Sequence, residues 1–304
     1  MTEVALMLEG QDGLTWDRWQ SIARLAEDCG YVGLYRSDHF TNPNPPDKPS
    51  LECWTSLTWL ASHTRRIEFG PLVSPVSFRH PSLLARMAAA VDDLSDGRLH
   101  LGLGAGWQDR EHQHFGYRLG SIAERSARLR EAVEIIAHLL RSEQPLTFSG
   151  RFYQLEDAVV LPRPTRPGGP RLVLGGAGKQ LTLPLAARYA DEWNLAFRPP
   201  EQFRELSASL DDLLHAHGRQ PTDVRRTLMT NIQFGRTEAD VRDKLRGRSV
   251  DELRQRGVIV GTAEQVREQV AAFGEAGVQR IMLQWLDLDD LAGIEALAAA
   301  LSLA

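Results

Sequence analysis

Short apolar runs alternate with longer amphipathic segments along the whole chain. The runs are rich in valine, leucine and isoleucine and are bounded by glycine, aspartate or proline, a pattern typical of strands buried on both faces. The pattern predicts eight strands: Val4–Leu8, Val32–Tyr35, Ile67–Leu72, Leu99–Leu103, Leu172–Leu174, Glu192–Ala196, Thr227–Phe234 and Arg280–Gln284.

The segments between these strands have the spacing of amphipathic helices. Apolar residues recur at steps of three and four in three stripes: Leu84, Met87, Val91 and Leu94; Leu129, Val133, Ile136 and Leu140; and Val266, Val270 and Phe273. Since a strict alternation of strands and helices requires a parallel sheet, eight such units predict an α/β fold, a (β/α)8 TIM barrel in one domain over residues 1–304. An open, doubly wound sheet is the alternative.

Three segments interrupt the alternation. Residues 145–170 have the pattern of short strands and turns, so we expect an insertion between the fourth helix and the fifth strand. Residues 42–49 contain four prolines and follow the second strand, and residues 237–257 are charged and helical in pattern. Because loops at the carboxyl ends of barrel strands build the active site, we expect the loop after the second strand to matter most.

Composition and charge narrow the class of protein. The chain is 42% hydrophobic and 25% charged, as in ordinary globular proteins, and its net charge of −5 disfavours general nucleic-acid binding. No apolar stretch approaches the roughly 20 residues of a membrane span. The chain begins with a predicted strand and no basic leader, so we expect a soluble cytoplasmic protein. Cys29 and Cys53 lie in predicted helices, without metal-binding spacing, and are expected to be buried, reduced thiols.

The dipeptide Asp38-His39 at the end of the second strand is the sharpest candidate for chemistry. A histidine can protonate or stabilise a ring nitrogen near neutral pH, and an adjacent carboxylate can hold its tautomer. The position after a barrel strand favours a catalytic role, whereas the dipeptide alone is equally compatible with loop architecture.

Glycines after the fourth and fifth strands predict close approach of a ligand to the backbone. Gly175, Gly176, Ala177, Gly178 and Lys179 precede a predicted helix, which is typical of a phosphate site. The alternative is a glycine-rich turn. Gly102, Gly104 and Gly106 leave one barrel wall without bulk, which suits a flat aromatic ring or a tight turn. The histidines His39, His80, His112 and His114, with Asp38 and Glu111, lack the spacing of a zinc pair, so no metal site is expected.

Longer motifs resemble a known family, the luciferase-like monooxygenase superfamily, and within it the branch that depends on coenzyme F420. The motifs are Arg36-Ser37-Asp38-His39-Phe40, Phe78-Arg79-His80-Pro81, and Asp93-Leu94-Ser95-Asp96-Gly97-Arg98 leading into Leu101-Gly102-Leu103-Gly104-Ala105-Gly106-Trp107. The match extends over essentially the whole chain. It implies a barrel with an insertion before the fifth strand and a cofactor at the carboxyl ends of the strands.

The resemblance also implies roles for particular residues. His39 would stabilise the reduced ring or act as acid and base, Asp38 would touch the polar edge of the ring, and Glu9 would assist at the substrate. A non-proline cis peptide between Leu72 and Val73, followed by Ser74, would lie behind the ring. The cofactor-binding set further contains Gly104, Ala105 and Gly106, and the phosphate would bind at Gly175, Gly176, Ala177, Gly178 and Lys179.

The resemblance implies hydride transfer between F420 and a small organic substrate. A two-component monooxygenase that uses FMN from a separate reductase is the alternative, and a non-catalytic flavin-binding protein is a third possibility. Sugar-phosphate dehydrogenases of the branch have a glutamate where this chain has Trp107-Gln108-Asp109, and Glu111 would have to substitute for it. They also have a tryptophan where Asn42-Pro43-Asn44 stands here, so a sugar phosphate is not the expected substrate. A homodimer is implied, and Trp54 and Trp59 are candidates for its interface or for the core.

Overall fold

The computed structural model describes residues 2–303, which form a parallel β barrel surrounded by helices. The strands are β1 (Glu3–Leu8), β2 (Gly33–Arg36), β3 (Glu68–Pro71), β4 (Ser74–Pro75), β5 (His100–Gly104), β6 (Leu146–Ser149), β7 (Gln154–Ala158), β8 (Arg171–Gly175), β9 (Glu192–Ala196), β10 (Arg225–Phe234), β11 (Ile259–Gly261) and β12 (Arg280–Trp285). The helices are α1 (Trp16–Asp28), α2 (Cys53–His63), α3 (Pro81–Leu94), α4 (Asp109–His114), α5 (Ile122–Arg141), α6 (Thr182–Tyr189), α7 (Pro200–Ala216), α8 (Glu238–Leu245), α9 (Val250–Gln255), α10 (Ala263–Glu275) and α11 (Leu291–Ala300).

The strand order is that of a barrel, not of an open sheet. The strands pair in the order β3-β2-β1-β12-β10-β9-β8-β5-β4, and every one of these pairings is parallel. A parallel bridge between Phe69 and Leu99 joins β3 to β5, where the Phe69 N–H donates to the Arg98 carbonyl at 3.1 Å. The predicted barrel is therefore confirmed, and the doubly wound alternative is excluded.

All eight predicted barrel strands are present, and their ends lie within two residues of the predicted ones. Two of the three predicted helical stripes, those on α5 and α10, are buried throughout. In the third stripe, the prediction that Leu94 faces the core is wrong, because this residue is 50% exposed. It lies ten residues after the buried Leu84, and at about 100° per residue its direction has turned about 80° away from the core-facing stripe.

The interruptions of the alternation are small additions to the barrel. An antiparallel hairpin of β6 and β7 stands between α5 and β8, as the insertion prediction requires. Both strands of the hairpin lie in the first half of the predicted segment 145–170. Residues 237–257 contain α8 and α9, and they lead into β11, a strand missed from the sequence that pairs with β10.

The cysteines and the tryptophans of α2 show how the core is filled. Cys53 is buried at the start of α2, whereas Cys29 follows the end of α1 and is half buried, so the prediction was wrong for Cys29. Trp54 is buried and donates its indole N–H to Ser74 Oγ at 3.1 Å. Trp59 is half buried and stacks on His63, with ring centroids 4.2 Å apart. None of the helices within residues 2–303 combines the length and apolarity needed to span a bilayer.

Candidate active site

The carboxyl ends of the barrel strands form an open mouth. Side chains one layer inside the barrel, such as Met7 and Val173, are buried. Five small or apolar residues are half exposed instead: Val73, Gly104, Gly175 and Ala196, at or just beyond strand ends, and Met229, which pairs with Ala196 from within β10. The mouth therefore offers an apolar floor on which a flat ligand could lie.

His39 stands at this mouth, just after β2, and is held by Glu111. His39 Nδ1 lies 2.8 Å from Glu111 Oε1, and Glu111 Oε2 accepts the Phe40 N–H at 3.0 Å. Glu111 is completely buried on α4, the short helix after β5. A carboxylate can only accept, so Nδ1 carries a hydrogen. Nε2 is therefore the atom through which His39 can exchange a proton with a ligand.

The surroundings of His39 raise its pKa above the ordinary value. Burial lowers the pKa of His39, but the hydrogen bond and charge of Glu111, with the charges of Glu9 and Asp38, outweigh burial. The imidazole is thus a stronger base than a free histidine, which suits a group that takes up a proton near neutral pH.

Asp38 does not hold the His39 tautomer, so that prediction was wrong. Its Oδ2 accepts hydrogen bonds from Ser74 Oγ at 2.7 Å and from Arg79 Nη1 at 2.5 Å. Arg79 also binds Glu52 at 2.9 Å. Asp38 therefore joins the end of β2 to the segment after β3, and Arg79, which sequence reasoning left without a role, is its main partner. Contact between Asp38 and a cofactor ring stays a prediction.

The peptide between Leu72 and Val73 is cis, as the resemblance implied. The glycines of β5 allow this segment to pack closely against the strand. A Cβ built at Gly102 would lie 2.2 Å from the Pro71 carbonyl oxygen, and one at Gly104 would lie 2.4 Å from a methyl of Val73. The space that we interpreted as room for a ring is thus taken by the neighbouring strand segment, at least for these two glycines.

Gly102→Ala is expected to destabilise the protein by about 1–3 kcal/mol, because the added methyl meets backbone that cannot rotate away. Urea denaturation followed by circular dichroism measures the change. Gly175→Ala is the matched control, since the nearest atom to its new Cβ is the Asn194 carbonyl oxygen at 3.4 Å, an ordinary contact. Equal stability of the two variants would contradict the packing argument.

The stretch after Gly104 carries the residue nearest to the free nitrogen of His39. Gly106 has a φ of 81°, a conformation that favours glycine. The next residue, Trp107, is 57% exposed and donates its indole N–H to His39 Nε2 at 3.3 Å. In the sequence argument Trp107 ended a family motif and marked a departure from sugar-phosphate dehydrogenases, but its contact with His39 was missed.

Glu9 lies at the end of β1 and is half buried. Its Oε2 accepts from Gln11 Nε2 at 2.8 Å, and its Oε1 accepts from Gln284 Nε2. Gln284, on β12, was not singled out from the sequence. Glu9 is among the charges that raise the pKa of His39, and its role at the substrate stays a prediction.

The loop from Gly175 to Lys179 is only partly available to a phosphate. The Gly176 N–H donates to the Asn194 carbonyl at 3.0 Å, and the Gly178 N–H donates to Thr182 Oγ1 at 2.8 Å. Among residues 2–303, the N–H groups of Ala177 and Lys179 make no hydrogen bond. Helix α6 begins at Thr182 and therefore does not follow directly on Lys179, the last residue of the loop. The phosphate role stays a prediction that now rests on Ala177 and Lys179.

The other histidines near the mouth have separate partners. His112 is buried between Ser77 Oγ and the Gln108 carbonyl, each at 2.7 Å. His80 caps α3 by accepting the Ser82 N–H at 3.3 Å. Within the described residues, no group of three or more histidine, cysteine, aspartate or glutamate side chains is placed to hold a metal ion.

Comparisons with known proteins agree with this architecture. The family model described as luciferase-like monooxygenase matches residues 2–250. The F420-dependent glucose-6-phosphate dehydrogenase of Kineococcus radiotolerans is 32% identical over 226 residues, which cover 73% of this chain and 65% of that relative. This chain therefore spans slightly less than two thirds of that relative's length. The F420-dependent hydroxymycolic acid dehydrogenase of Mycobacterium tuberculosis is 28% identical over 270 residues, covering 88% of this chain and 71% of the relative.

A solved structure has the same fold over almost the whole chain. It is an F420-dependent secondary alcohol dehydrogenase in complex with an F420-acetone adduct. The TM-score is 0.88, the match covers 99% of this chain and 98% of the other, and 18% of the residues are identical. This likeness supports the barrel fold.

Proposed function

The chain belongs to the luciferase-like monooxygenase family, and on this basis we propose that it is an oxidoreductase that transfers a hydride between coenzyme F420 and a small organic substrate. The observation that carries the proposal is the Glu111–His39 pair, with Nδ1 of His39 fixed and Nε2 turned to the mouth. The similarity to two F420-dependent dehydrogenases supports F420 over FMN.

The residues at the mouth fit a flat, anionic cofactor. The half-exposed residues Val73, Gly104, Gly175, Ala196 and Met229 offer an apolar bed, and Ala105 and Gly106 border it. Leu72 and Ser74 belong to the same wall. The unpaired N–H groups of Ala177 and Lys179 could hold a phosphate, because an amide without a partner is a ready donor to an anion.

When bound, F420 would supply the ring carbon that accepts or gives up the hydride. The side chains manage the proton. His39 Nε2 takes the hydroxyl proton of an alcohol as the substrate is oxidised, and it returns a proton when a carbonyl is reduced. Glu111 fixes the ring of His39 and stabilises its protonated form, and Glu9 holds the polar side of the substrate.

Glu111→Gln is expected to lower the pKa of His39, because it removes the negative charge that raises it. The pH profile of alcohol oxidation should therefore move to lower pH. A hydrogen bond to a charged group contributes about 1.5–3 kcal/mol, so kcat should fall roughly 10- to 150-fold. Steady-state rates across pH measure both effects. Asp109→Asn, an exposed change on the same helix, is the control, and an unshifted profile would contradict the role of Glu111.

The cofactor is tested by fluorescence titration of the protein with F420 and, separately, with FMN. Tight binding of F420 with weak binding of FMN would support hydride transfer, and alcohols, ketones and enones would then be screened as substrates. The reverse result would identify a two-component FMN monooxygenase that requires a separate reductase. Binding of neither cofactor would refute the proposal.

The resemblance also suggests a homodimer in the cytoplasm. Light scattering of the protein as it elutes from a size-exclusion column distinguishes the mass of one chain from that of two. Trp54 is unavailable for such an interface because it is buried, whereas Trp59 is half buried and Trp16, which lies beside it with centroids 6.4 Å apart, is 38% exposed.

A further inference from the structure

The indole of Trp107 is hydrogen-bonded to Nε2 of His39, the nitrogen that a substrate would need. The indole Nε1 lies 3.3 Å from His39 Nε2, and the two rings meet edge to face with centroids 5.6 Å apart and planes at 81°. Nδ1 is already committed to Glu111. With the indole in this position, neither water nor a substrate hydroxyl can donate to His39.

The indole is held loosely enough to leave. More than half of the Trp107 side chain is exposed, although tryptophan is usually well buried. Its N–H is a donor only, so it can face Nε2 only while that nitrogen is unprotonated. A hydroxyl group is also a donor and can take the same place, whereas a carbonyl oxygen cannot.

We propose that Trp107 is a gate on His39: its indole N–H holds Nε2 in the resting protein and yields this position to the hydroxyl group of an alcohol substrate. The proposal rests on the proposed role of His39 as the proton acceptor. The gate adds selectivity to this role of His39, because only a molecule that donates a hydrogen bond can replace the Trp107 indole at Nε2. The charged groups around His39, namely Glu111, Glu9 and Asp38, are all acidic and favour its protonation. When Nε2 becomes protonated, two donors face each other and the gate opens.

Chemical modification tests the gate without any cofactor. Diethyl pyrocarbonate acylates unprotonated imidazole nitrogens, and peptide mass spectrometry gives the rate at His39 relative to that at the exposed His114 in the same sample. Trp107→Phe removes the N–H but keeps a ring. Because a neutral hydrogen bond shifts an equilibrium about 2- to 10-fold, we expect the relative rate at His39 to rise by that factor. Trp16→Phe, which removes another exposed indole, should leave the relative rate unchanged. An unchanged or slower rate in Trp107→Phe would overturn the proposal.

Tryptophan fluorescence gives a second readout. A protonated imidazole quenches a neighbouring indole, so the emission of Trp107 should change as His39 titrates. Trp59 stacks on His63 and also responds to pH. The difference between the wild type and Trp107→Phe removes that contribution. Because the pKa of His39 is raised, we expect this difference to change once, at a pH above the ordinary pKa of 6.5, and we expect it to be flat when both proteins also carry His39→Gln. The proposed contact would be overturned if the fluorescence difference between the wild type and Trp107→Phe did not change with pH. It would also be overturned if that change persisted when both proteins carry His39→Gln.

These outcomes are independent of the cofactor titrations. Failure of F420 and FMN to bind would refute the proposed function, while the modification and fluorescence results would still report whether Trp107 covers His39. Cofactor binding together with unchanged modification rates would refute the gate and leave the oxidoreductase proposal intact.

Discussion

Replacing His39 with glutamine is expected to lower kcat by about 10²- to 10⁴-fold while leaving the Kd for F420 unchanged. The imidazole is the group at the mouth that can take up a proton near neutral pH, since its Nδ1 is fixed by Glu111 and its pKa is raised. Glutamine keeps a hydrogen-bonding side chain of similar length but cannot carry the proton. Turnover is measured by the loss of oxidised F420 absorbance with a panel of secondary alcohols, and binding by fluorescence.

The control for this change is His114→Gln, which removes an exposed histidine from the end of α4. Its kcat should equal that of the wild type. Full turnover in His39→Gln would show that a group other than His39 takes up the proton, and would contradict the proposed role of His39. Loss of F420 binding together with turnover would mean that His39 holds the cofactor instead of acting in the chemistry. His39→Asn repeats the test if the glutamine variant does not fold.

The barrel was predictable because its strands are largely buried on both faces and are therefore short, mostly apolar runs with sharp ends. Strands as different as β1 and β9 followed from this signal. β11 was missed because three residues, Ile259–Gly261, are too few to show a period. The position of Leu94 failed for a related reason, since a stripe defined by steps of three and four drifts around a helix over three turns.

The site could be predicted as a set of residues but not as a set of contacts. Asp38 is adjacent to His39 in sequence, yet its carboxylate binds Ser74 and Arg79 instead of the imidazole. The true partner, Glu111, is 72 positions away and depends on where α4 is placed. The glycines of β5 show a similar limit, because sequence reveals a missing side chain but not which neighbour fills the space.

A second polar cluster lies at the opposite, amino-terminal end of the barrel and was not foreseen. Arg280, only 2% exposed, donates to Glu3 at 2.7 Å and to Tyr35 Oη at 2.6 Å, and it lies 2.5 Å from Glu68. His100 extends the cluster, with Nε2 3.1 Å from Glu68 and Nδ1 3.0 Å from a second carboxylate, that of Glu192. Both imidazole nitrogens face carboxylates, which favours the protonated form of His100.

The pKa shifts of this cluster define a pH window for stability. Burial lowers the pKa of His100, but its two glutamate partners raise it above 6.5, so its contribution is complete below pH 6.5 and is lost as pH rises through the raised pKa. Burial raises the pKa values of Glu68 and Glu192, but His100 and Arg280 lower them below 4.5. Their contribution is present above pH 4.5 and is lost as pH falls through the lowered pKa values. The cluster therefore stabilises the fold most between these limits.

Arg280→Met is expected to lower the free energy of unfolding by about 1–3 kcal/mol within this window, because it leaves the half-buried Glu3 and Glu68 without their main positive partner. The methionine fills much of the same volume, so the loss comes from the uncompensated charge. Urea denaturation at a pH between the two limits measures it. Arg18→Met is the matched control: Arg18 binds Asp289 at 2.6 Å on the surface, and such an exposed pair contributes little to stability. Equal losses in the two variants would mean that the amino-terminal cluster does not stabilise the fold.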